Sequence, residues 1–399
     1  MKTYTRGVPE GELINRLKTL QAVLEERDLD AAIIINKPDF FYFSGTVQQG
    51  WLYVPREGPP LLMVDKEYNR ARVESSLERV VFLSSIQEAP RVLDEQGYSA
   101  PENIGMELDV IPANIYFQFK SLFKTAGIVD LSTDVRLIRA VKSGYEIKMI
   151  RRASWLADKV AAKVPELLEP GKTEITLAGE IEAYARSMGH QGIVRMRLWG
   201  SEIFYGHLLS RVSGAIPSYL SSPTGGSGTS PAIGMGVGHK KIERNEPVLL
   251  DYVFALDGYL SDHSRIFSIG PLPDELLKAH DAMLELQALA KREGVPGVLA
   301  GDLYEIMVAA AGERGYADHF MGVGDCRGRF TGHGLGLELD EFPFVAKGET
   351  LPLEAGMVIA MEPKVVLPGK GVVGVENTVV VTESGLETLT TIREDVVVV

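Results

Sequence analysis

Cys326 is the only cysteine in a chain of 399 residues. No internal disulfide is possible, so the chain suits a reducing compartment, and Cys326 itself reads as a packed or idle thiol. Positive charge is also in short supply. The chain has 41 Lys and Arg against 54 Asp and Glu, a net charge of -13. That argues against a general nucleic-acid or anionic-membrane partner, since each needs a basic face. Long apolar runs are missing too. None approaches the roughly 20 residues of a membrane span. The N-terminal stretch Met1-Lys-Thr-Tyr-Thr-Arg-Gly-Val-Pro9 has no apolar core of signal-peptide length. A cytoplasmic location is expected.

The chain does have apolar material for sizeable cores, 45% of its residues, and at this length two domains are expected. Residues 12–28 space Leu and Ile at helical intervals, and Ala31-Ala-Ile-Ile-Ile35 follows as a buried strand. Further strands are expected at 51–54, 60–64 and 80–83, with helices at about 66–78 and 112–126. Strands alternating with helices predict an α/β layer domain. Asp39, Tyr42 and Trp51 could face a site there, although packing accounts for them as well. The domain boundary is expected near 130–142, giving domains of 1–140 and 141–399.

The second half opens on helices at about 144–164 and 173–189. From Gly192 the pattern turns to β, with Arg195–Trp199 alternating and 203–209 following. Residues 213–239 are rich in Gly, Ser and Pro and read as a long loop. Strands at 247–254 and 259–267 flank a tight turn at Asp257-Gly258. Helices at about 273–292 and 298–314, a strand at 356–362 and a closing hairpin at 371–382 complete the expectation.

The chemistry gathers in this half. His333 lies in Thr331-Gly-His-Gly-Leu-Gly-Leu-Glu338, between two glycines that allow close backbone approach. Asp251 and Asp262 sit on the two strands of the expected hairpin, which can bring them together. Glu362, in Val358-Ile-Ala-Met-Glu-Pro363, and Glu376, in Val372-Val-Gly-Val-Glu-Asn377, are likewise flanked by apolar residues. A buried carboxylate needs a cation, a hydrogen-bond network or a proton. Any one of these acids could belong to a structural ion pair. Together with His333, however, they form a complete ligand set for two divalent ions, with manganese, cobalt, iron or zinc suited to such donors.

These segments carry a resemblance. Asp251 with Gly258-Tyr-Leu-Ser-Asp262, Gly332-His333-Gly, Met361-Glu362-Pro363 and Gly374-Val-Glu376-Asn resemble the pita-bread metallohydrolases, which include methionine aminopeptidase, aminopeptidase P, prolidase and creatinase. Residues of about 10–140 resemble the N-terminal domain shared by the last three. The resemblance implies an α/β N-terminal domain followed by an α+β pita-bread catalytic domain, and a homodimer. It implies that Asp251 holds one metal, that His333 and Glu362 hold the other, and that Asp262 and Glu376 bridge. Glu362 would also be the general base.

Three departures accompany the match. A Pro-His step of the peptidases corresponds to Pro217-Ser218, or by another alignment to Gly234, so Ser218 stands where a catalytic histidine is expected. A second histidine is replaced by Asp340, in Leu339-Asp-Glu-Phe-Pro343. An arginine two residues before the last glutamate is replaced by Gly374. His207, His239 and His263 are candidates to supply a substitute donor. The expected function is an Xaa-Pro aminopeptidase or dipeptidase acting on a small proline-containing peptide, with Glu362, Asp340 and Ser218 as catalytic candidates. The alternatives are a metal-dependent hydrolase of a non-peptide C–N bond or a lyase on a small substrate, and a binding module. The intact ligand set argues against the last.

Overall fold

The computed structural model describes residues 7–220 and 222–399. Most of the N-terminal stretch examined for a signal sequence therefore lies outside the described residues. The chain forms two compact units, dividing between Arg139 and Ala140.

The first unit holds α1 (Glu10–Glu26), β1 (Ala31–Ile34), α2 (Lys37–Ser44), β2 (Gly50–Pro55), β3 (Leu61–Val64), α3 (Tyr68–Glu74), β4 (Val80–Phe82), α4 (Ala89–Glu95), β5 (Asn103–Met106), α5 (Ala113–Leu122), β6 (Gly127–Asp130) and α6 (Ser132–Ala140), whose last residue begins the second unit. One mixed sheet, ordered β4-β3-β2-β1-β5-β6, is the expected α/β layer. The apolar spacing of α1 buries Leu13, Leu17, Leu20 and Leu24 on one stripe. Packing explains the three residues that could have faced a site. Asp39 pairs with the buried Arg139, Tyr42 lies under the Arg16 guanidinium, and Trp51 packs against the sheet core.

The second unit begins with α7 (Gly144–Leu167), closed at its N-terminus by a capping box between Ser143 and Glu146. There follow α8 (Glu174–Ser187), β7 (Gly206–Ser210), β8 (Val248–Leu256), β9 (Tyr259–Ser268), α9 (Asp274–Glu293) and α10 (Ala300–Glu313). The remaining strands are β10 (Phe330–Leu335), β11 (Leu339–Ala346), β12 (Val358–Met361), β13 (Lys364–Leu367), β14 (Gly371–Gly374), β15 (Asn377–Thr382), β16 (Gly385–Thr388) and β17 (Val397–Val398). They form sheets ordered β17-β9-β8-β7 and β11-β10-β12-β15-β16, with β13-β14 as a separate ribbon.

Alternation along β8 sorts the residues between two faces. Leu250, Tyr252 and Phe254 pack on Ala153, Ala157, Leu177 and Ile181 of α7 and α8. Leu249 belongs instead to the core that α9 and α10 form with Ile266, Ile359 and Val373. Asp251 shares that second face with Leu249.

Two expectations are corrected. Arg195–Trp199 is not a strand. Only Met196 makes a bridge, to Leu339 at the start of β11, and the pairing goes no further, leaving Trp199 98% exposed. Residues 371–382 are not a hairpin by themselves. β14 pairs with β13 and β15 pairs with β12, so the turn lies earlier, between β13 and β14. The expected loop of 213–239 is folded on itself by Gly226 N–H to Ile216 C=O, Gly236 N–H to Gly225 C=O and Gly228 N–H to Gly236 C=O.

Candidate metal centre

The site is built from strand register. β8 and β9 pair from Val248↔Phe267 to Leu256↔Tyr259, leaving Asp257-Gly258 as the two-residue turn. Both turn residues have positive φ, 51° and 94°, as a twisted hairpin of this length requires. Asp251 then lies opposite Ser264, and Asp262 is two residues along β9 on the same face. On the other side Asp251 lies opposite His207 of β7. Beyond Ser264 an isolated bridge reaches Glu376. One row, His207-Asp251-Ser264-Glu376, therefore crosses four chain segments on one face.

The two glutamates come from a second hairpin. Met361 pairs with Asn377, and Lys364 with Gly374, so a single register runs through both ladders. Between them Glu362 and Glu376 stand opposite each other where Pro363 interrupts the pairing. His333, on β10, pairs with Ala360 and so brings its ring beside Glu362. Its Nε2 lies 3.9 Å from Asp262 Oδ2 and 3.7 Å from Glu362 Oε1. Ligand atoms of Asp262, His333 and Glu376 all fall within 4.8 Å of one another. Asp262 Oδ1 is buried with no hydrogen-bond partner. That orphaned oxygen and the facing imidazole nitrogen fit one divalent ion.

A cation from the chain itself occupies the other end of the cluster. Lys364 Nζ donates to Asp251 Oδ2 at 3.0 Å, Glu362 Oε2 at 2.7 Å and Glu376 Oε2 at 2.7 Å. Sequence reasoning missed this residue. The signal was a lysine inside the apolar run Pro363-Lys-Val-Val-Leu367, two residues from Glu362 and so on its face. It also missed two positioning hydroxyls. Ser264 Oγ donates to Glu376 Oε2, and Thr378 Oγ1 donates to the Asp262 carbonyl and accepts its N–H.

Burial controls the electrostatics. It raises the Asp262 carboxyl well above the usual range, with Glu376 and Asp251 adding to the effect. It lifts Glu362 to about 7, against the pull of the Lys364 ammonium. Burial alone would lower His333, but Asp340, Glu362 and Glu376 outweigh it and raise the imidazole. Burial works against the Lys364 charge as well, yet Asp251, Glu362 and Glu376 hold it firmly protonated.

The other expected residues divide. Asp340 adopts φ 64° and sets its carboxylate 3.5 Å from His333 Nδ1, behind the nitrogen that faces the cluster. Ser218 Oγ accepts the Leu220 N–H at the start of the Gly/Ser-rich loop, and Gly234 lies against the Tyr219 ring. His239 is exposed. His263 alternates onto the helix-covered face of β9, away from Asp262. His207 alone among the three histidine candidates joins the row. Its Nδ1 meets Thr224 Oγ1 at 2.9 Å and its Nε2 is buried without a partner. Burial, helped by Lys364, holds this imidazole down to about 4. His207 also lines a cavity of about 660 Å³ with Phe204, Tyr205, Tyr219, Ile233 and Met235.

Comparison with known proteins agrees with this architecture. Residues 148–383 match the model of metallopeptidase family M24, and residues 16–141 match the creatinase/prolidase N-terminal domain. The Xaa-Pro dipeptidase of Pyrococcus furiosus is 27% identical over 94% of this chain and 97% of its own. The uncharacterized peptidase YqhT of Bacillus subtilis is 26% identical over 94% of this chain and 97% of its own. The crystal structure of the Pyrococcus horikoshii prolidase superposes with a TM-score of 0.80 at 25% identity, covering 95% of this chain and 99% of that one. The X-Pro aminopeptidase of Thermotoga maritima also gives 0.80 at 25% identity, over 96% and 99% of the two chains. With a family model spanning most of the second unit and a second one preceding it, this chain belongs to metallopeptidase family M24.

Proposed function

We propose that this protein is a metal-dependent peptidase that cleaves small peptides beside proline, as an Xaa-Pro dipeptidase or aminopeptidase. The observation that carries the reading is the convergence of Asp262, His333 and Glu376, three buried ligand groups within 4.8 Å. The relatives named for Xaa-Pro cleavage support it, since each aligns with nearly the whole chain. Residues 141–399 would carry the catalysis, and residues 1–140 would form the N-terminal domain that precedes them in the chain. A bound divalent ion would polarise the scissile carbonyl and acidify a water molecule.

The chain's own groups take the remaining tasks. Glu362, lifted to about 7, suits a general base that takes a proton from the attacking water and returns it to the leaving nitrogen. His207 takes the donor role left open by Ser218. In the tautomer whose Nδ1 accepts from Thr224 Oγ1, the neutral ring carries its hydrogen on Nε2 and can donate it to the carbonyl oxygen. The Gly334 carbonyl, 3.2 Å from His333 Nδ1, and the Asp340 carboxylate at 3.5 Å together orient that ring. The cavity beside His207 has the apolar and aromatic wall that a proline ring or hydrophobic side chain needs. Manganese as the first ion to try, a homodimer and a cytoplasmic location complete the proposal. The carboxylate and imidazole donor set supports the first, alongside cobalt, iron and zinc, the family resemblance supports the second, and the lone cysteine is compatible with the third.

Two ions are supported by the presence of all five ligand residues and opposed by Lys364 beside Asp251. The same lysine favours a second reading, a non-peptide C–N hydrolase or a lyase on a small substrate. The deciding experiment is turnover of Xaa-Pro dipeptides and tripeptides with manganese, cobalt or zinc, beside a Glu362→Gln control. Metal-dependent release of the N-terminal residue, lost in the control, is expected. Silence across the panel with metal bound would overturn the peptidase reading in favour of the second.

A further inference from the structure

We propose that the Lys364 ammonium permanently fills the position among Asp251, Glu362 and Glu376, so that this centre holds one divalent ion, at Asp262, His333 and Glu376, rather than two. The inference deepens the metallopeptidase reading and rests on it.

The ammonium has three hydrogens and meets three carboxylates, at 3.0, 2.7 and 2.7 Å, so its hydrogen-bonding capacity is used in full. The residue is 1% exposed. A charge so buried is tolerated only when it is paired, and these carboxylates are its pairing. Its stem is accommodated from the opposite strand. Gly374 faces Lys364 in the β13-β14 ladder, and a Cβ there would stand 2.7 Å from Lys364 Cα and 3.1 Å from its Cγ. A side chain at 374 would crowd the path that the lysine takes into the cluster.

The ammonium denies an ion the oxygen of Asp251 that faces the cluster, and it would stand as a like charge beside any ion placed there. The far end is open. Asp262 Oδ1 lacks a partner, and His333 Nε2 faces Asp262 and Glu362.

The test is the metal content of the full-length protein, stripped with chelator and re-equilibrated with manganese, zinc or cobalt. Elemental analysis and the cobalt absorption spectrum give the stoichiometry. One ion per chain is expected in the native protein and in Lys364→Arg, and two in Lys364→Ala. Two tightly bound ions in the native protein, or one in both native and Lys364→Ala, would overturn the inference. No ion in the native protein but one in Lys364→Ala would keep the role of Lys364 and overturn the metal reading it rests on. No ion in either form would overturn both. Should Lys364→Ala fail to fold, a native content of two still refutes the inference and a content of one supports it.

Discussion

Lys364 stands directly opposite Gly374 across the β13-β14 ladder. Gly374 has φ 151°, and a Cβ on it would lie 2.4 Å from the Pro363 carbonyl oxygen. A left-handed backbone and a blocked Cβ position make glycine obligatory here. Gly374→Ala should destabilise the chain by about 1–3 kcal/mol. It should also loosen the lysine's grip on Glu362 and Glu376. The midpoint of denaturant unfolding measures the first effect, and an unchanged midpoint would mean that the strand pair relaxes without cost.

Glu362 stands between an ammonium and an imidazole, its Oε2 held by Lys364 and its Oε1 facing His333. Replacing it with glutamine keeps the shape and removes the base. Turnover in Glu362→Gln should fall by about 10²–10⁴-fold, with the fold intact by circular dichroism. Retained turnover would move the proton-transfer role to another group.

Asp340 supports His333 from the side away from the cluster. A carboxylate behind a ligating imidazole fixes its orientation, and its loss commonly costs ~10–100-fold in metal affinity. Asp340→Asn tolerates the left-handed backbone at this position and removes only the charge. Calorimetric titration with zinc should show weakening of that order, and an unchanged affinity would make Asp340 a backbone residue only.

His207→Phe removes the unpartnered Nε2 while filling the same space. If this nitrogen donates to the carbonyl oxygen as it gains charge, kcat should drop by about 10²–10³-fold with little change in KM. A pure KM effect would make His207 a wall of the cavity rather than a donor.

His190 provides a pH signature of stability remote from this chemistry. Its Nδ1 accepts the Gly192 N–H at 2.9 Å and its Nε2 meets the Val253 carbonyl at 3.1 Å, which fixes the neutral ring. Burial holds it down to about 4 from an ordinary 6.5. The unfolded chain therefore binds a proton first as pH falls. The contribution is complete above pH 6.5 and is lost progressively toward pH 4, on the order of 2–3 kcal/mol in all. His190→Gln should flatten unfolding free energy against pH in that window, and an unaltered slope would refute the assignment.

Periodicity and punctuation made much of the fold legible. The leucine stripe of α1 and the Asp257-Gly258 turn each state their structure locally, and that turn implied that Asp251 and Asp262 would meet. The four acidic ligand candidates could be read because acidic residues amid apolar neighbours are costly and so demand a partner, and His333 stood out between two glycines. Alternation misled at Arg195–Trp199, where the pairing with β11 stops at the single Met196–Leu339 bridge.

By itself the sequence determined most of the elements, the family and the list of candidate acids, since these follow from local spacing and residue chemistry. Only the tertiary structure decided how the acids are satisfied. The run of one register through two ladders brings Lys364 onto the face of Glu362 and opposite Gly374, and the β7-β8 pairing brings His207 beside Asp251. Asp251 and the lysine that bonds it are 113 residues apart in the chain. No local pattern records which buried charge will find which partner, because that depends on the register between distant strands.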